Sequence, residues 1–128
     1  MPMKLRNLMR TDVPTASSDE SATDAWERMR AAGADYVIVT QNDDIVGILS
    51  WHDLSGPAGG SHRRMGRRVG ELMHRDVITA GPETTIAQAA ASMQQHRVGC
   101  LPIIEHRKLV GIVTTYEMLG VLARDSDA

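Results

Sequence analysis

Two stretches decide the fold: GILSWHDL, Gly47 to Leu54, and GIVTTYEM, Gly111 to Met118. Each runs from glycine through aliphatic residues to a hydroxyl (Ser50, Thr114), with a carboxylate three positions later (Asp53, Glu117). That spacing is a capping box. The hydroxyl accepts from a first-turn amide and the carboxylate reaches back, so an apolar strand hands over directly to a helix.

The two stretches are 64 positions apart, and the same shift aligns the halves of the chain without a gap. Leu8-Met9 falls on Leu72-Met73, Asp12-Val13 on Asp76-Val77, and Thr15-Ala16 on Thr79-Ala80. Ala25 and Met29 fall on Ala89 and Met93, and Val46-Gly47-Ile48 on Val110-Gly111-Ile112. Self-similarity at a fixed period marks a structural unit written twice.

Each half opens with a short helical turn around Leu8-Met9 or Leu72-Met73, then an extended piece, Val13 to Thr15 or Val77 to Thr79. A helix follows with apolar residues at i, i+3, i+4 and i+7, the spacing of one buried face. They are Ala22, Ala25, Trp26 and Met29 in the first half and Ile86, Ala89, Ala90 and Met93 in the second. Ser21 and Thr84-Thr85 stand where N-caps belong. Two apolar strands come next, Tyr36 to Thr40 and Ile45 to Ser50, around the polar turn Gln41-Asn42-Asp43-Asp44. Their counterparts are Cys100 to Glu105 and Leu109 to Thr114, around His106-Arg107-Lys108. Nearly continuous apolar runs suit strands buried on both faces. The closing helix begins past Ser50 and is cut short by Gly56-Pro57. Past Thr114 it runs on through Leu119, Val121 and Leu122.

The chain has 128 residues, the length of one ordinary domain, and a formal charge of −2, which directs it toward neither nucleic acid nor membrane. Phe is absent, so Val, Ile, Leu, Met and Ala must build the core. The single cysteine, Cys100, excludes an internal disulfide and fits a reducing compartment. No apolar run approaches the ~18 residues of a membrane span, and no signal-peptide segment opens the chain. A soluble, cytoplasmic protein is expected.

A tandem β-α-β-β-α unit in which G-h-h-[S/T]-x-x-[D/E] closes each copy resembles the CBS domain pair, the Bateman module. LMHRDVITAGPETTIAQAA, Leu72 to Ala90, is similar to the family's opening, and VGCLPIIE, Val98 to Glu105, to its second strand. The first copy departs at Ile38, where the second has Pro102. The resemblance implies an α+β fold over residues 1–128, with pseudo-two-fold symmetry. The first repeat covers 4–56, a Gly/Arg-rich linker 57–67, and the second repeat 68–124. It also implies a stand-alone regulatory module that pairs as a homodimer and reports to an unidentified regulated protein. Its ligand would be an adenosine compound (AMP, ADP, ATP or S-adenosylmethionine) held in clefts between the repeats.

On that resemblance the capping residues acquire a second use. A helix N-terminus attracts phosphate, and a carboxylate one turn in can accept from two ribose hydroxyls. In the family each cleft is cross-built. Carried over, one site joins Ser50 and Asp53 with Thr79, Ala80, Val98, Cys100 and Pro102. The other joins Thr114 and Glu117 with Thr15, Ala16, Tyr36 and Ile38. Asp53 matches the family's carboxylate, while the longer Glu117 overreaches and Tyr36 offers adenine an aromatic face.

Other features carry less. HRRMGRR, His62 to Arg68, reads as a solvated linker with nucleic-acid contact as its alternative; His96-Arg97 suits a helix C-terminus. The five histidines lack metal-ligand spacing. Cys100 reads as a core residue, and Trp51 as covering either the module's core or a dimer surface. No activated nucleophile or acid–base pair can be assembled, so no catalysis is expected. The rival to a ligand-binding module is a dimerisation scaffold with empty clefts.

Overall fold

A computed structural model describes residues 2–55 and 64–125. The chain forms two compact units, Pro14–Val77, and Met1–Val13 with Ile78–Ala128. Each unit takes its opening segment from the other repeat. Leu5 amide donates to Thr84 carbonyl at 2.8 Å, and Arg10 and Ile112 exchange both backbone bonds at 2.9 Å. In the same way Val69 amide donates to Glu20 carbonyl at 2.8 Å, and His74 and Ile48 exchange both bonds at 2.9 Å.

The Pro14–Val77 unit holds β1 (Thr15–Ser17), α1 (Ala22–Ala32), β2 (Tyr36–Gln41), β3 (Asp44–Ser50), α2 (Trp51–Ser55) and α3 (Val69–Leu72). The other unit holds a 3₁₀ turn (Leu5–Asn7), α4 (Ile86–His96), β4 (Cys100–Glu105), β5 (Lys108–Thr114) and α5 (Thr115–Asp125). β1 pairs parallel with β2, and β2 pairs antiparallel with β3. The extended piece expected at Val13 to Thr15 therefore lies later, at Thr15–Ser17. Its counterpart is only a single bridge, Ala80 with Ile103, which leaves β4 and β5 as a two-stranded sheet. Pro82 limits the run, because a residue without an N–H cannot extend a ladder on that side.

Both hairpins turn on two left-handed residues, Asn42 and Asp43 (φ 53° and 68°) and His106 and Arg107 (φ 52° and 66°). Such turns match the twist of the flanking strands. The register slips after Val39 in one hairpin and after Ile103 in the other, so a bulge stands beside each motif glycine. Ser21 caps α1, and Thr85 with Gln88 forms a capping box on α4.

The core repeats with the sequence. Leu5, Ala89, Met93, Leu101, Ile103, Val113 and Met118 form one cluster. Val69, Ala25, Met29, Val37, Val39, Leu49 and Leu54, their counterparts at the 64-residue shift, all lie in the other. Ala90 departs from the expected helix face and is exposed. On this face Ala89 is fully buried and Ile86 packs half-buried against the same cluster. Among the described residues no helix is long and apolar enough to cross a membrane, and no group of three metal-ligating side chains gathers.

The motif glycines admit the borrowed segments. A Cβ at Gly47 would stand 2.4 Å from Met73 Sδ and 2.9 Å from the His74 carbonyl oxygen; at Gly111 it would stand 2.7 Å from Met9 Sδ and 2.9 Å from the Arg10 carbonyl oxygen. Methionine can bend away, but a carbonyl fixed in a backbone bridge cannot. Gly47→Ala and Gly111→Ala should each lower unfolding free energy by about 1–3 kcal/mol in urea titrations. Gly120→Ala, with nothing within 4 Å of its new methyl in α5, should raise it by about 0.4–1 kcal/mol. Equal effects at Gly47 and Gly120 would sink the close-approach account.

Candidate functional site

The strand–helix corner at Ser50 is a reciprocal cap. Asp53 amide donates to Ser50 Oγ at 3.0 Å, and Ser50 amide donates to Asp53 Oδ2 at 3.1 Å. The capping box expected from the sequence is present. A third group joins it, for His74 Nε2 lies 3.0 Å from Asp53 Oδ2. Sequence reasoning missed His74; the only available signal was its place just after Met73, the residue that crosses Gly47.

Burial works against ionisation of Asp53, but the Ser50 hydroxyl and amide, and then His74, outweigh it. The carboxyl ends below its ordinary value. It is held as an anion, half-buried, at the start of a helix. An anion so held acts only as a hydrogen-bond acceptor, the state that a pair of donating hydroxyls needs.

The second corner is closed differently. Thr114 amide and Thr114 Oγ1 both donate to Glu117 Oε1, at 2.7 and 2.8 Å. The extra methylene of glutamate lets the carboxylate fold back onto its own threonine. Arg10, the counterpart of His74, turns instead to Asp12 at 3.5 Å.

The remaining expected site residues fall into two groups. Thr15 (exposed), Ala16 (buried), Tyr36 (half-buried) and Ile38 (fully buried) share the unit of Ser50 and Asp53. Thr15 pairs with Ile38, and Tyr36 pairs with Ser50. Thr79 (exposed), Ala80 and Val98 (half-buried), and Cys100 and Pro102 (buried) share the unit of Thr114 and Glu117. Cys100 pairs with Thr114, and Ala80 amide donates to the Pro102 carbonyl at 3.0 Å. The members of each expected cross-built site thus belong to different compact units. Ala16, Ala80 and Val98 pack their side chains into their own unit's core, so backbone groups are what they offer a ligand.

A hollow of about 430 Å³ opens beside α1, lined by Pro14, Thr15, Arg28, Met29, Ala32 and Val37 among others. Neither Ser50 nor Asp53 lines it. Arg28 draws in the Thr15 carbonyl at 2.8 Å and pairs with Glu20.

Two expectations need correction or completion. Much of the arginine linker, including His62 and Arg63, lies outside the described residues, as do Gly56 and Pro57, where the first closing helix was expected to stop. Arg64 is not solvated but only 6% exposed. Its guanidinium sits 3.8 Å over the Trp26 ring and Nη1 donates to the Leu54 carbonyl at 2.9 Å, while Nε is buried without an acceptor among the described residues. A planar, delocalised cation tolerates an aromatic face better than an ammonium does, which accounts for burial without a carboxylate. Arg68 stays exposed while donating to the Asp19 carbonyl at 2.6 Å. Trp51 stacks on Trp26 with ring centroids 5.4 Å apart and so covers its own unit's core. His96 and Arg97 end α4, where Arg97 is the left-handed cap (φ 56°).

Because the folded Asp53 carboxyl binds its proton less readily than the unfolded one, its stabilisation is present above the ordinary value of 3.8. It is lost as pH falls through the lower, folded value. The stability advantage of wild type over Asp53→Asn should therefore hold above about pH 5 and shrink as pH falls from about 4 to about 2. An advantage constant across that range in urea titrations would contradict the assignment. Cys100, its thiol pushed up to about 12 by burial and then by the Glu117 charge, should resist iodoacetamide at about pH 8 in the native protein and react in urea. Equal rates in both conditions would contradict its burial.

A family model described as CBS domain matches residues 5–56 and 69–124. An uncharacterised protein of Methanocaldococcus jannaschii, MJ1232, is 34% identical over 86 residues, which are 66% of this chain and 28% of that protein. A homoserine O-acetyltransferase of Methanosalsum zhilinae is 30% identical over 114 residues, 88% of this chain and 22% of the enzyme. The chain thus spans less than a third of either relative. The CBS domain pair of protein MJ0100, solved with 5′-methylthioadenosine and S-adenosyl-L-methionine, superposes with a TM-score of 0.86 at 20% identity, covering 98% of this chain and 99% of that one. Two matched repeats, the α+β architecture of each unit and the repeated capped corner agree: the chain belongs to the CBS-domain family and carries two CBS repeats.

Proposed function

We propose that this CBS pair is a regulatory module that binds an adenosine-containing ligand and passes the bound state to a partner protein. The observation that carries the reading is the Ser50–Asp53 corner, an ionised, half-buried carboxylate at a helix start. A ribose diol donates to such a carboxylate, and phosphate suits the helix start beside it. The adenosine compounds held by MJ0100 in the same fold support this ligand class. In this proposal Ser50 and Asp53 work with Thr79, Ala80, Val98, Cys100 and Pro102. Thr114 and Glu117 work with Thr15, Ala16, Tyr36 and Ile38 and form the weaker site, because Glu117 is already folded onto Thr114.

The module performs no chemistry of its own in this reading. Ligand binding favours one arrangement of the module, and the partner reads that arrangement by population shift. Homodimer formation belongs to the same proposal: the exposed Tyr116, Leu119 and Leu122 of α5 are apolar surface for such an association to cover. A scaffold that binds nothing is favoured only by the self-satisfaction of both caps.

Calorimetric titration with AMP, ADP, ATP and S-adenosylmethionine decides between them. Binding of one compound should disappear in Asp53→Ala and survive Glu117→Ala. Protein free of carried-over ligand that gives neither heat nor thermal stabilisation with any of the four would leave both corners as helix caps.

A further inference from the structure

We infer that His74 is a positioning residue for the Asp53 carboxylate, bracing it so that one oxygen stays committed to the protein and the other stays open to a ligand. The inference rests on the proposed adenosine site and deepens it. His74 exchanges both hydrogen bonds with Ile48, each 2.9 Å, and the residue before it crosses Gly47 at a distance that excludes any side chain there. The imidazole therefore leaves a backbone pinned to β3 two residues before Ser50, and Nε2 reaches Asp53 Oδ2 at 3.0 Å.

Ser50 amide donates to that same oxygen. Oδ2 thus serves two donors that approach from different segments, while no donor among the described residues is assigned to Oδ1, which is left for hydroxyls of a bound molecule. Two donors hold Oδ2 from two directions, where the cap bond alone holds it from one. Preorganisation of this kind raises affinity by removing the cost of ordering the group at binding. His74 is otherwise 67% exposed in its side chain, so its own burial gives it little structural purpose.

The second unit lacks the device. Its backbone bridge is the same, Arg10 with Ile112, but Arg10 pairs with Asp12, and the two donors on Glu117 Oε1 both come from Thr114. The brace therefore distinguishes Asp53 from Glu117.

The test is calorimetry with AMP and with S-adenosylmethionine on wild type, H74A, H74Q, D53A and the double variant D53A/H74A. Loss of a hydrogen bond to a charged group predicts affinity about tenfold weaker in H74A. In H74Q, whose amide nitrogen can take the place of Nε2, affinity should return to within about threefold of wild type. D53A should bind neither compound, and the double variant should behave as D53A. Wild-type affinity in H74A, with binding lost in D53A, overturns the brace and leaves the ribose clamp standing. H74Q as weak as H74A also overturns it, because the donor would then not be what matters. No binding of either compound by wild type overturns the clamp and the brace together. Should H74A fail to fold by thermal melting, His74→Leu fills the space without a donor and takes its place.

Discussion

The crossing of a borrowed chain segment over a bare glycine underlies everything else in this protein. Met73 lies over Gly47 and Met9 over Gly111, each so close that no side chain fits beneath. That contact fixes the register of the following residue against β3 or β5, and the register in turn carries Val69 or Leu5 into a core built mainly by the other repeat. Neither repeat is therefore a complete folding unit by itself. Each lends its first residues and receives the other's, which makes the two copies obligatory partners within one chain.

The same crossing shapes the electrostatics of the corner. A carboxylate at a helix start is stabilised by the amides and dipole of its own helix, and that holds for both Asp53 and Glu117. What separates them is the residue delivered by the borrowed segment and the length of the carboxylate side chain. Aspartate is short, stays where the cap places it, and meets His74. Glutamate is longer, curls back onto Thr114, and leaves Arg10 to find Asp12. One side-chain methylene and one change of basic residue turn a repeated motif into two unequal corners.

Much of this was legible in the sequence. The capping residues Ser50, Asp53, Thr114 and Glu117 were readable because a cap is local: its partners are three residues apart. The helices and hairpins followed from periodicity and turn chemistry, and the core from the repeat. Contacts set by the borrowed segments were not readable. His74 meets Asp53 only because a backbone bridge brings together residues 21 positions apart, and no pattern in either stretch announces it. Arg64 was misjudged for a related reason. A run of arginines beside glycine and proline suggests solvent, and composition cannot show that one guanidinium lies on an indole. Ala90 failed because helical spacing gives a stripe and not its edges.

The tryptophan stack has a spectroscopic meaning. The chain contains two tryptophans, and Trp26 and Trp51 lie face to face in the Pro14–Val77 unit, with Arg64 over the Trp26 ring. Trp51 follows Ser50 directly and stands two residues before Asp53. All indole emission from this protein therefore originates in one unit, next to one corner, while the unit carrying Glu117 is dark at that wavelength. Intrinsic fluorescence is in effect a label already attached to one of the two repeats, and it reports on the Pro14–Val77 unit without any added dye.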